Sequence, residues 1–429
     1  MLKVGHVVTR PGRKLGDAPV EIPVPEELET VPGIPITSRE VDFYSREYPL
    51  QRQQVEHAAD TEWATEVGTE AMRKYFDEHD SVMEPYYALM NASGDLEATG
   101  TPTGDDVTEL IKAKARELGY LEVGMTAHDP RYIYQDRKSH VKFSNAICLA
   151  LEQDFVETQS APSMDAEHGH YGTYEYQAPL GLKMVDYIRS LGYQAQVHGP
   201  SNHSAATIPM FVAAGLGQLG ANGQLLTPHA GARCRLQIIT TDAPVTFDEP
   251  VDYGLHAFCQ VCQVCVNRCP GRALMREKVW WRGVEKNKLI YKRCRPVMAR
   301  YEGCAICMKV CPINKYGAKT VMEHYLETGQ VLGKGTHDLE GYTLHPESSE
   351  KYTYGYFGPG ELPVFNTEFF DIPRGTREEA TMDKYLKVLE QEGPDQSNAD
   401  DQALFAFRDR LREVTKDPLG DGVSGNTMF

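Results

Sequence analysis

The stretch CQVCQVCVNRCP at residues 259–270 and the stretch CAICMKVCP at residues 304–312 each end in Cys-Pro. The first has the spacing C-x2-C-x2-C-x3-C, and the second has C-x2-C-x3-C with Cys294 a short distance upstream. Together these positions hold eight of the ten cysteines of this 429-residue chain. Cysteines grouped so closely indicate ligands of metal centres, because a disulfide framework would spread them along the chain.

The first spacing is typical of bacterial ferredoxins with two [4Fe–4S] clusters, in which the fourth cysteine of each run ligates the other cluster. Crossing the ligands in this way predicts a first cluster and a second cluster with four thiolates each: Cys259, Cys262, Cys265 and Cys311 for the first, and Cys269, Cys294, Cys304 and Cys307 for the second. Structural zinc is the alternative interpretation of paired C-x2-C motifs. Zinc does not explain the third cysteine of the first run or the Cys-Pro endings.

The composition is that of a large protein with an acidic balance. The chain has 44 basic and 61 acidic residues, a net charge of −17 and 41% hydrophobic residues. This acidity, without a basic stripe, disfavours nucleic acid and anionic membrane surfaces as partners. No apolar run reaches the ~18 residues of a membrane span. We therefore expect a soluble, cytoplasmic protein, although a removed twin-arginine export signal would leave no trace.

Changes in composition along the chain predict four regions. Residues 1–104, rich in Pro and Glu, are predicted to wrap over the core, and residues 105–254 to form an α/β core. Residues 255–318 contain both cysteine runs and a tryptophan-bearing insert between them. Residues 319–429 are predicted to pack on the core and to shape a substrate pocket.

Hydrophobic periodicity supports the α/β (α+β) interpretation of the middle of the chain. Cys148 and Cys234 fall in its apolar stretches and are predicted to be buried core thiols. The predicted helices cover about 107–118, 180–191 and 204–214, with further helices near 61–78 and 401–414. The predicted strands cover 120–126, 145–151, 193–199 and 234–241.

The glycines Gly215, Gly217 and Gly220 spell GLGQLG, a literal match to the dinucleotide-binding pattern. That pattern requires a strand before the glycines and a helix that opens at their end. Here a helix-like stretch precedes the glycines, and no helical period follows them. We therefore interpret the glycines as the end of a helix, where backbone approaches something large and flat.

With the clusters and the glycine run both in view, the chain resembles the corrinoid reductive dehalogenases and, more distantly, epoxyqueuosine reductase. The resemblance covers about residues 105–318, and outside the cysteines it is carried by GPSNHSAATIPMFVAAGLGQLGANGQLLTPHAG (199–231) and ARCRLQIITTDAP (232–244). It implies a nitroreductase-like core that binds cobalamin, beside a ferredoxin-like module with two [4Fe–4S] clusters. It also implies base-off cobalamin without a protein ligand to cobalt, and no DxHxxG ligand motif occurs here.

The same resemblance implies site residues. It makes Tyr176 the proton donor, Asn202 the residue that orients the substrate or the tyrosine, and Arg235 the group that holds phenolate, polar substrate or departing halide. A phenol with a pKa near 10 stays protonated at neutral pH, and an arginine keeps its charge. Asn202, His203, Gly217 and Gly220 are the residues we expect to contact cobalamin. The chain departs here from its more distant relatives, because epoxyqueuosine reductases look to use an aspartate as the proton donor at this position. This chain has Ser201-Asn202 instead, with no carboxylate.

Alternatives to these roles remain open in the sequence. Tyr171 and Tyr174 lie close to Tyr176, and any of them is able to serve as a packing residue. Arg233 and Arg235 flank Cys234, and strand alternation puts both on one face.

Three further side chains near the site also have simpler interpretations. Asn202 is able to act as a helix cap, and His203 as an ordinary polar group. His168 and His170 suggest a metal pair that lacks a third ligand.

The resulting prediction is a reductive dehalogenase that removes halide from an aryl or alkenyl organohalide. The alternatives are another cobalamin-dependent C–X cleavage, such as epoxide reduction, and a two-cluster electron-transfer protein without a corrinoid. The expected partners are the organohalide and a low-potential electron donor (a ferredoxin, a flavodoxin or a quinol-linked protein), with a homodimer implied weakly by the resemblance.

Overall fold

The structure is a computed structural model. The predicted helix at 401–414, most of the Tyr-rich C-terminal stretch, and Asn202 and His203 lie outside the part of the chain that it describes. The described residues are 1–29, 69–133, 137–199, 204–281, 284–289, 294, 297–298, 301–344 and 355–361.

The described strands are numbered in chain order. They are β1 (Val4–Arg10), β2 (Val20–Pro25), β3 (Glu122–Ala127), β4 (Asn145–Glu152), β5 (Ala195–His198), β6 (Gln218–Leu219), β7 (Leu225–Leu226), β8 (Cys234–Thr241), β9 (Leu274–Trp281), β10 (Val284–Leu289), β11 (Tyr342–Leu344) and β12 (Gly355–Phe357).

The described α-helices are numbered in the same way. They are α1 (Glu70–Ala92), α2 (Thr108–Glu117), α3 (Phe155–Gln159), α4 (Met164–Tyr171), α5 (Thr173–Ser190), α6 (Thr207–Ala213), α7 (Leu255–Cys262), α8 (Val264–Arg268), α9 (Ile306–Lys309), α10 (Pro312–Tyr316), α11 (Ala318–Thr328) and α12 (His337–Glu340).

The core is a four-stranded sheet in the order β3-β4-β8-β5, and every neighbouring pair is antiparallel. Successive side chains of β4 point to opposite faces, as a strand requires. Ile147 and Leu149 pack with α1, α2 and α5 on one face, and Cys148 packs with α6 on the other. The mixed helix-and-sheet fold is as predicted, and the antiparallel order makes it α+β. Cys148 is fully buried, as expected of a core thiol.

The predicted elements of the core are present with small shifts at their ends. The strand predicted at 193–199 is shortened to β5, and the helix predicted at 204–214 begins at Thr207. The helix predicted at 180–191 begins earlier, at Thr173, so that it includes both Tyr174 and Tyr176. This earlier start decides the direction in which the predicted site residues face.

The cysteine-rich module has its own hydrophobic core, which continues past the predicted boundary at residue 318. Val321 and Met322 of α11 and Leu339 of α12 belong to the same core as Cys259 and Cys311. The insert between the cysteine runs forms the antiparallel hairpin β9–β10.

The N-terminal hairpin β1–β2 joins this module, since Val24 and Leu28 belong to the module core as well. The N-terminal hairpin therefore packs on the cysteine module, whereas α1 of the same region packs on the core. No described helix is long and apolar enough to cross a membrane.

Candidate active site and cluster ligands

All eight predicted cluster cysteines are free thiols, and each is buried or half-buried. Several of them lie close enough to affect one another. The thiols of Cys259 and Cys311 raise the pKa of Cys262, after burial itself as the main cause. The thiols of Cys269, Cys304 and Cys307 do the same for Cys294. Neighbours from the other predicted set act on Cys265 and Cys307 as well, so the division into two crossed sets stays a prediction.

Burial dominates the acidity of these thiols in the protein chain. It raises the pKa of Cys307 to about 12 and the pKa of Cys311 to about 11. Thiols buried in this way become thiolates only when a metal takes the place of their protons. Among the described residues no three His, Cys, Asp or Glu side chains are arranged to hold a single metal ion. A [4Fe–4S] cubane makes a different demand, since each thiolate binds its own iron.

Backbone strain is concentrated in the same module. Positive φ angles outside glycine are uncommon and mark positions that the surrounding structure holds in place. Every described non-glycine residue with such an angle lies between the first and the last cluster cysteine: Gln263, Arg272, Glu302, Cys304 and Ala305. The strained backbone therefore lies among the predicted cluster ligands, which fits clusters bound by short loops.

Arg235 at the start of β8 is fixed by the two helices α4 and α5. Its Nε donates a hydrogen bond to the His170 carbonyl at 2.6 Å, and its Nη1 donates to the Tyr174 hydroxyl at 3.3 Å. The guanidinium carbon lies 4.4 Å from the centre of the Tyr174 ring. Gln177 donates to the backbone carbonyl of Arg235 at 3.0 Å.

Arg233 has a different environment from Arg235, and the choice of Arg235 as the site residue stays a prediction. It lies just before β8, so strand alternation does not put it beside Arg235. Its guanidinium is buried and donates to Glu152 at 3.0 Å, to the Gln153 carbonyl at 2.9 Å and to the Asn314 carbonyl at 3.3 Å. All of its partners are groups of the protein, which indicates a structural role between the core and the cysteine module.

Tyr176 lies on α5 two residues after Tyr174, and two residues correspond to a turn of about 200° around a helix. Its side chain is 71% exposed. Within the described part of the chain, Arg235 therefore contacts Tyr174 and not Tyr176. The ring of Tyr171, in contrast, is half-buried and packs against His79 and Phe76. The role of Tyr176 as proton donor stays a prediction.

Asn202 and His203 fall outside the described residues, but the residues around that segment are polar and buried. His128 and His198 stack with ring centres 5.4 Å apart. Ser204 makes a hydrogen bond to His128 Nε2 at 3.4 Å. His128 Nδ1 is buried and has no hydrogen-bond partner among the described residues, and burial lowers the pKa of His128 to about 4.

The glycine run follows a helix, as predicted, so it is not a dinucleotide-binding loop. Gly215 has φ +68°, and Leu216 N–H donates to the Phe211 carbonyl at 2.9 Å, which together form a Schellman cap on α6. A Cβ at Gly217 would lie 2.4 Å from the Leu226 carbonyl oxygen, and one at Gly220 would lie 2.7 Å from Asn222 Oδ1. Protein packing thus accounts for both glycines, and their contact with cobalamin stays a prediction.

The HGH pair is structural in the described fold. His170 is buried and shares a hydrogen bond with the Thr158 hydroxyl at 3.2 Å, while the His168 ring lies 4.3 Å from that of Tyr75. Burial lowers the pKa of His170 to about 3.

Sequence reasoning missed Glu167, a buried carboxyl. Burial raises its pKa to about 7, and the nearby charge of Arg235 partly opposes this increase. Its position just before His168 and His170 in the sequence gave no signal of its burial.

The fold and these sites together define a class, the reductive dehalogenase fold, and comparison with solved structures bears this out. The chain matches the catabolic reductive dehalogenase NpRdhA in complex with 3-bromo-4-hydroxybenzoic acid with a TM-score of 0.58 and 23% identity. The match covers 70% of this chain and 46% of that one. A second reductive dehalogenase structure, described as suggesting a mechanism for B12-dependent dehalogenation, matches with a TM-score of 0.56 and 23% identity over 65% of this chain and 44% of the other.

Among curated proteins, the chain is similar to particular members of this class. It is 32% identical over 188 residues to the tetrachloroethene reductive dehalogenase of Dehalobacter restrictus, covering 41% of this chain and 34% of that protein. It is 29% identical over 181 residues to the enzyme of the same name from Sulfurospirillum multivorans, covering 40% and 36%. Epoxyqueuosine reductase of Escherichia coli is 30% identical over 220 residues, covering 48% and 55%.

No protein-family model matches the chain. The matched segment spans about a third of the length of the curated dehalogenases. The resemblance to reductive dehalogenases predicted from the sequence is confirmed, and the relatives themselves are oxidoreductases by name.

Proposed function

We propose that this protein is a reductive dehalogenase that removes halide from an aryl or alkenyl organohalide. The observation that carries the proposal is the coincidence of eight buried or half-buried thiols, spaced in the sequence as ligands of two clusters, with a dehalogenase fold. Epoxide reduction and pure electron transfer are the competing functions. Neither accounts as well for the match to the tetrachloroethene reductive dehalogenases, at 32% identity over 188 residues.

The proposed cofactors are two [4Fe–4S] clusters and base-off cobalamin without a protein ligand to cobalt. The thiol sets fit the clusters by their chemistry. Cobalamin carries a rim of amide groups that donate and accept hydrogen bonds. Buried polar atoms without a protein partner, such as His128 Nδ1 and Gln177 Oε1, fit such a ligand. When bound, cobalamin would supply the reducing nucleophile, fed with electrons by the clusters.

The protein's own contribution is to place the substrate and to supply a proton and a positive charge. Tyr176 is the proposed proton donor, because its hydroxyl is exposed and a phenol stays protonated at neutral pH. Arg235 is proposed to hold the departing halide or an anionic group of the substrate. Its charge is permanent and its guanidinium is already fixed on two sides. Asn202 is proposed to orient the substrate.

Cofactor analysis separates the proposed enzyme from an electron carrier. The protein is expressed without oxygen with added cobalamin, and its iron and cobalt are quantified. We expect about eight iron atoms and about one cobalt atom per chain, in line with two cubanes and one corrinoid. Iron without cobalt would favour the electron carrier, and zinc in place of iron would contradict the cluster assignment.

Halide release separates dehalogenation from other C–X cleavage. The holoenzyme is supplied with reduced methyl viologen and a small panel of aryl and alkenyl halides, and free halide is measured by ion chromatography. Stoichiometric halide release is the expected result. Reduction of an epoxide with no halide from any member of the panel would favour the alternative enzyme.

The proton donor is tested with Tyr176→Phe, and Tyr187→Phe on the same helix is the matched control. A positioned acid contributes about 10²- to 10⁴-fold to rate, so turnover in Tyr176→Phe should fall by a factor in this range. Iron and cobalt contents should not change. Near-normal turnover in Tyr176→Phe would remove this residue from the role.

A further inference from the structure

Arg268, which precedes Cys269 at the end of α8, is among the largest side chains that lie fully buried in the described part of the chain. It is 1% exposed. Its Nη1 donates a hydrogen bond to the Glu361 carbonyl at 2.7 Å, and its Nη2 donates to the Phe357 carbonyl at 3.0 Å. Its Nε is buried and has no hydrogen-bond partner among the described residues. The guanidinium is therefore held at one place inside the cysteine-rich module.

No carboxylate balances the Arg268 charge within the described part of the protein. The guanidinium donates its hydrogen bonds to backbone carbonyls. The Glu361 carboxylate is exposed and accepts a hydrogen bond from Gly358 N–H at 2.8 Å instead. An arginine is permanently charged, and a buried charge without a counter-ion is costly. This environment therefore favours a nearby anion.

Two predicted cluster ligands, Cys269 and Cys304, share the surroundings of this charge. The Tyr342 ring covers the guanidinium, with its centre 4.9 Å from the guanidinium carbon. Burial raises the pKa of Tyr342, and the Arg268 charge opposes this increase. The thiols of Cys304 and Cys269 act on the same hydroxyl and add to the effect of burial. The buried charge and the two thiols therefore surround one aromatic ring.

Backbone donors also face the Cys269 sulfur. Ala273 N–H donates a hydrogen bond to Cys269 Sγ at 3.2 Å. Burial raises the pKa of Cys269, and neighbouring backbone N–H groups oppose this increase: those of Ala273, Gly271, Leu274 and Arg272. Hydrogen bonds to the sulfurs are one of the factors that set the potential of an iron–sulfur cluster. This side of the module is thus arranged to stabilise negative charge.

We infer that Arg268 is the buried counter-ion of the cluster bound by Cys269 and Cys304, and that its charge raises the reduction potential of this cluster. The inference rests on the proposed cofactors. A cubane held by four thiolates is an anion, and reduction adds one electron to it without breaking a bond. A fixed positive charge nearby stabilises the reduced form more than the oxidised form. Arg268 therefore acts on electron uptake from the low-potential donor and has no part in the cleavage of the substrate.

A cation near the predicted first cluster is of a different kind. Lys334 opposes the increase that burial causes in the pKa of Cys262, but its side chain is exposed and donates to the Val261 carbonyl at 3.2 Å. Water and salt screen an exposed charge far more than a buried one. We therefore expect the loss of the Arg268 charge to change one cluster much more than the other.

The test is a redox titration of the anaerobic holoenzyme without substrate, followed by electron paramagnetic resonance of the reduced clusters. In Arg268→Gln the ratio of reduced to oxidised cluster at a fixed potential should fall about tenfold for one cluster, since charges within a protein interact through an effective dielectric constant of about 20. A tenfold change corresponds to about 59 mV for a one-electron couple. The other cluster should change by less than about threefold.

Arg276→Gln is the matched control. Arg276 is exposed and donates to Asn267 at 2.8 Å, so removal of the same charge there should leave both potentials unchanged. Arg268→Lys keeps the buried charge, and its ratio should stay within about threefold of wild type. Unchanged potentials in an Arg268→Gln protein that retains its iron would overturn the inference, and so would equal shifts of both clusters.

If Arg268→Gln loses its iron, Arg268→Lys decides the question. A lysine cannot reproduce the planar fork that joins the two carbonyls, so a purely structural role of Arg268 would be lost in this variant as well. Retention of the iron with a ratio near that of wild type supports the counter-ion. Loss of the iron, or a ratio lowered about tenfold, overturns it.

The proposed function can fail separately. A holoenzyme that releases no halide, but whose cluster potential responds to Arg268→Gln as expected, would refute dehalogenation and support the counter-ion. A holoenzyme that releases halide, but whose potentials do not respond, would refute the counter-ion alone.

Discussion

Two regions of the protein each contain a buried glutamate that feels the charge of an arginine, yet the two glutamates differ in acidity. Glu122 on β3 accepts hydrogen bonds from Arg10 at 2.8 Å and from His229 at 2.5 Å. Burial alone would raise its pKa, but the His229 bond and the Arg10 charge outweigh burial, and the pKa of Glu122 is lowered. We call Arg10, Glu122 and His229 the closed triad.

Glu167 on α4 is in the opposite situation. It is buried, and no ion pair joins it to Arg235 in the described part of the chain, although the Arg235 charge reaches it. Burial raises its pKa to about 7. Arg235 uses its nitrogens for the His170 carbonyl and the Tyr174 hydroxyl instead. We call Glu167, Arg235 and Tyr174 the open group.

The difference in acidity between the two glutamates indicates a different role for each region. In the closed triad every charge is matched inside the protein, so its groups serve to join the N-terminal hairpin to the core. In the open group the Arg235 charge has no ion-pair partner among the described residues, and the buried Glu167 carboxyl is partly protonated at neutral pH, since its pKa is raised to about 7. Perturbed, unmatched groups of this kind are typical of functional sites. The predicted catalytic residues Tyr176 and Arg235 lie in or beside the open group.

The largest expected effect comes from breaking the closed triad. Arg10→Gln leaves the Glu122 carboxylate buried with only His229, and breaking a buried pair in this way costs about 3–5 kcal/mol. The free energy of unfolding, measured by urea titration without oxygen at pH 7, should fall by this amount. The control is Arg13→Gln, because Arg13 pairs with Glu152 at a half-exposed site and such pairs contribute about 1 kcal/mol or less. Equal losses in the two variants would contradict the role given to the triad.

A somewhat smaller effect is expected from Glu167 in the open group, and it concerns the dependence of protein stability on pH. The folded protein binds the Glu167 proton more tightly than the unfolded chain does, so stability contributed by this group is present at low pH and is lost as the pH rises through about 7. The ordinary value is 4.5, and the difference corresponds to about 3 kcal/mol. Glu167→Gln should remove this dependence and make the protein more stable than wild type at pH 8.

The measurement is the urea midpoint between about pH 5 and pH 8 for wild type, Glu167→Gln and the exposed control Glu109→Gln. Parallel pH curves for wild type and Glu167→Gln would show that Glu167 does not titrate in this range, and the contrast with Glu122 would be lost.

The smallest expected effect on stability comes from the start of α4, the helix that carries Glu167. The Ser163 hydroxyl accepts a hydrogen bond from Ala166 N–H at 3.1 Å and caps the helix. Ser163→Ala should cost about 1 kcal/mol, as is usual for a lost cap. Ser81→Ala, at an exposed position within α1, is the control and should cost much less. Thermal unfolding monitored by circular dichroism is sufficient, and identical midpoints for the two variants would contradict the capping role.

Local spacing carried most of what was predicted correctly. The strand around Cys148 and the helix before Gly215 follow from short-range patterns of apolar residues and glycine, and both are present. The crossed ligand sets follow from the cysteine spacing, and the fold groups the thiols of Cys262 and Cys294 with the predicted partners. Each of these features depends on residues that are close together in the sequence, and it can therefore be predicted from the sequence.

The predictions that needed correction concern long-range packing. Strand alternation could not separate Arg233 from Arg235, because the start of β8 depends on its pairing with β4. The hydrophobic core of the cysteine-rich module continues past residue 318, because α11 packs against β2 of the N-terminal hairpin. The domain boundary at that residue stays a prediction. Glu122 and Arg10 are more than a hundred positions apart, and nothing near either residue in the sequence indicates their partnership.

By itself the sequence determined that two sets of four thiolates are available and that helices and strands alternate through residues 105–254, because ligand spacing and hydrophobic period are local properties. The tertiary structure decided which arginine meets the aromatic side chains of α5, and which buried acid is paired and which is left alone. Those outcomes depend on the distances between distant parts of the chain and on the water excluded between them. Burial and pairing of this kind determine whether a side chain is charged, in addition to its chemical identity.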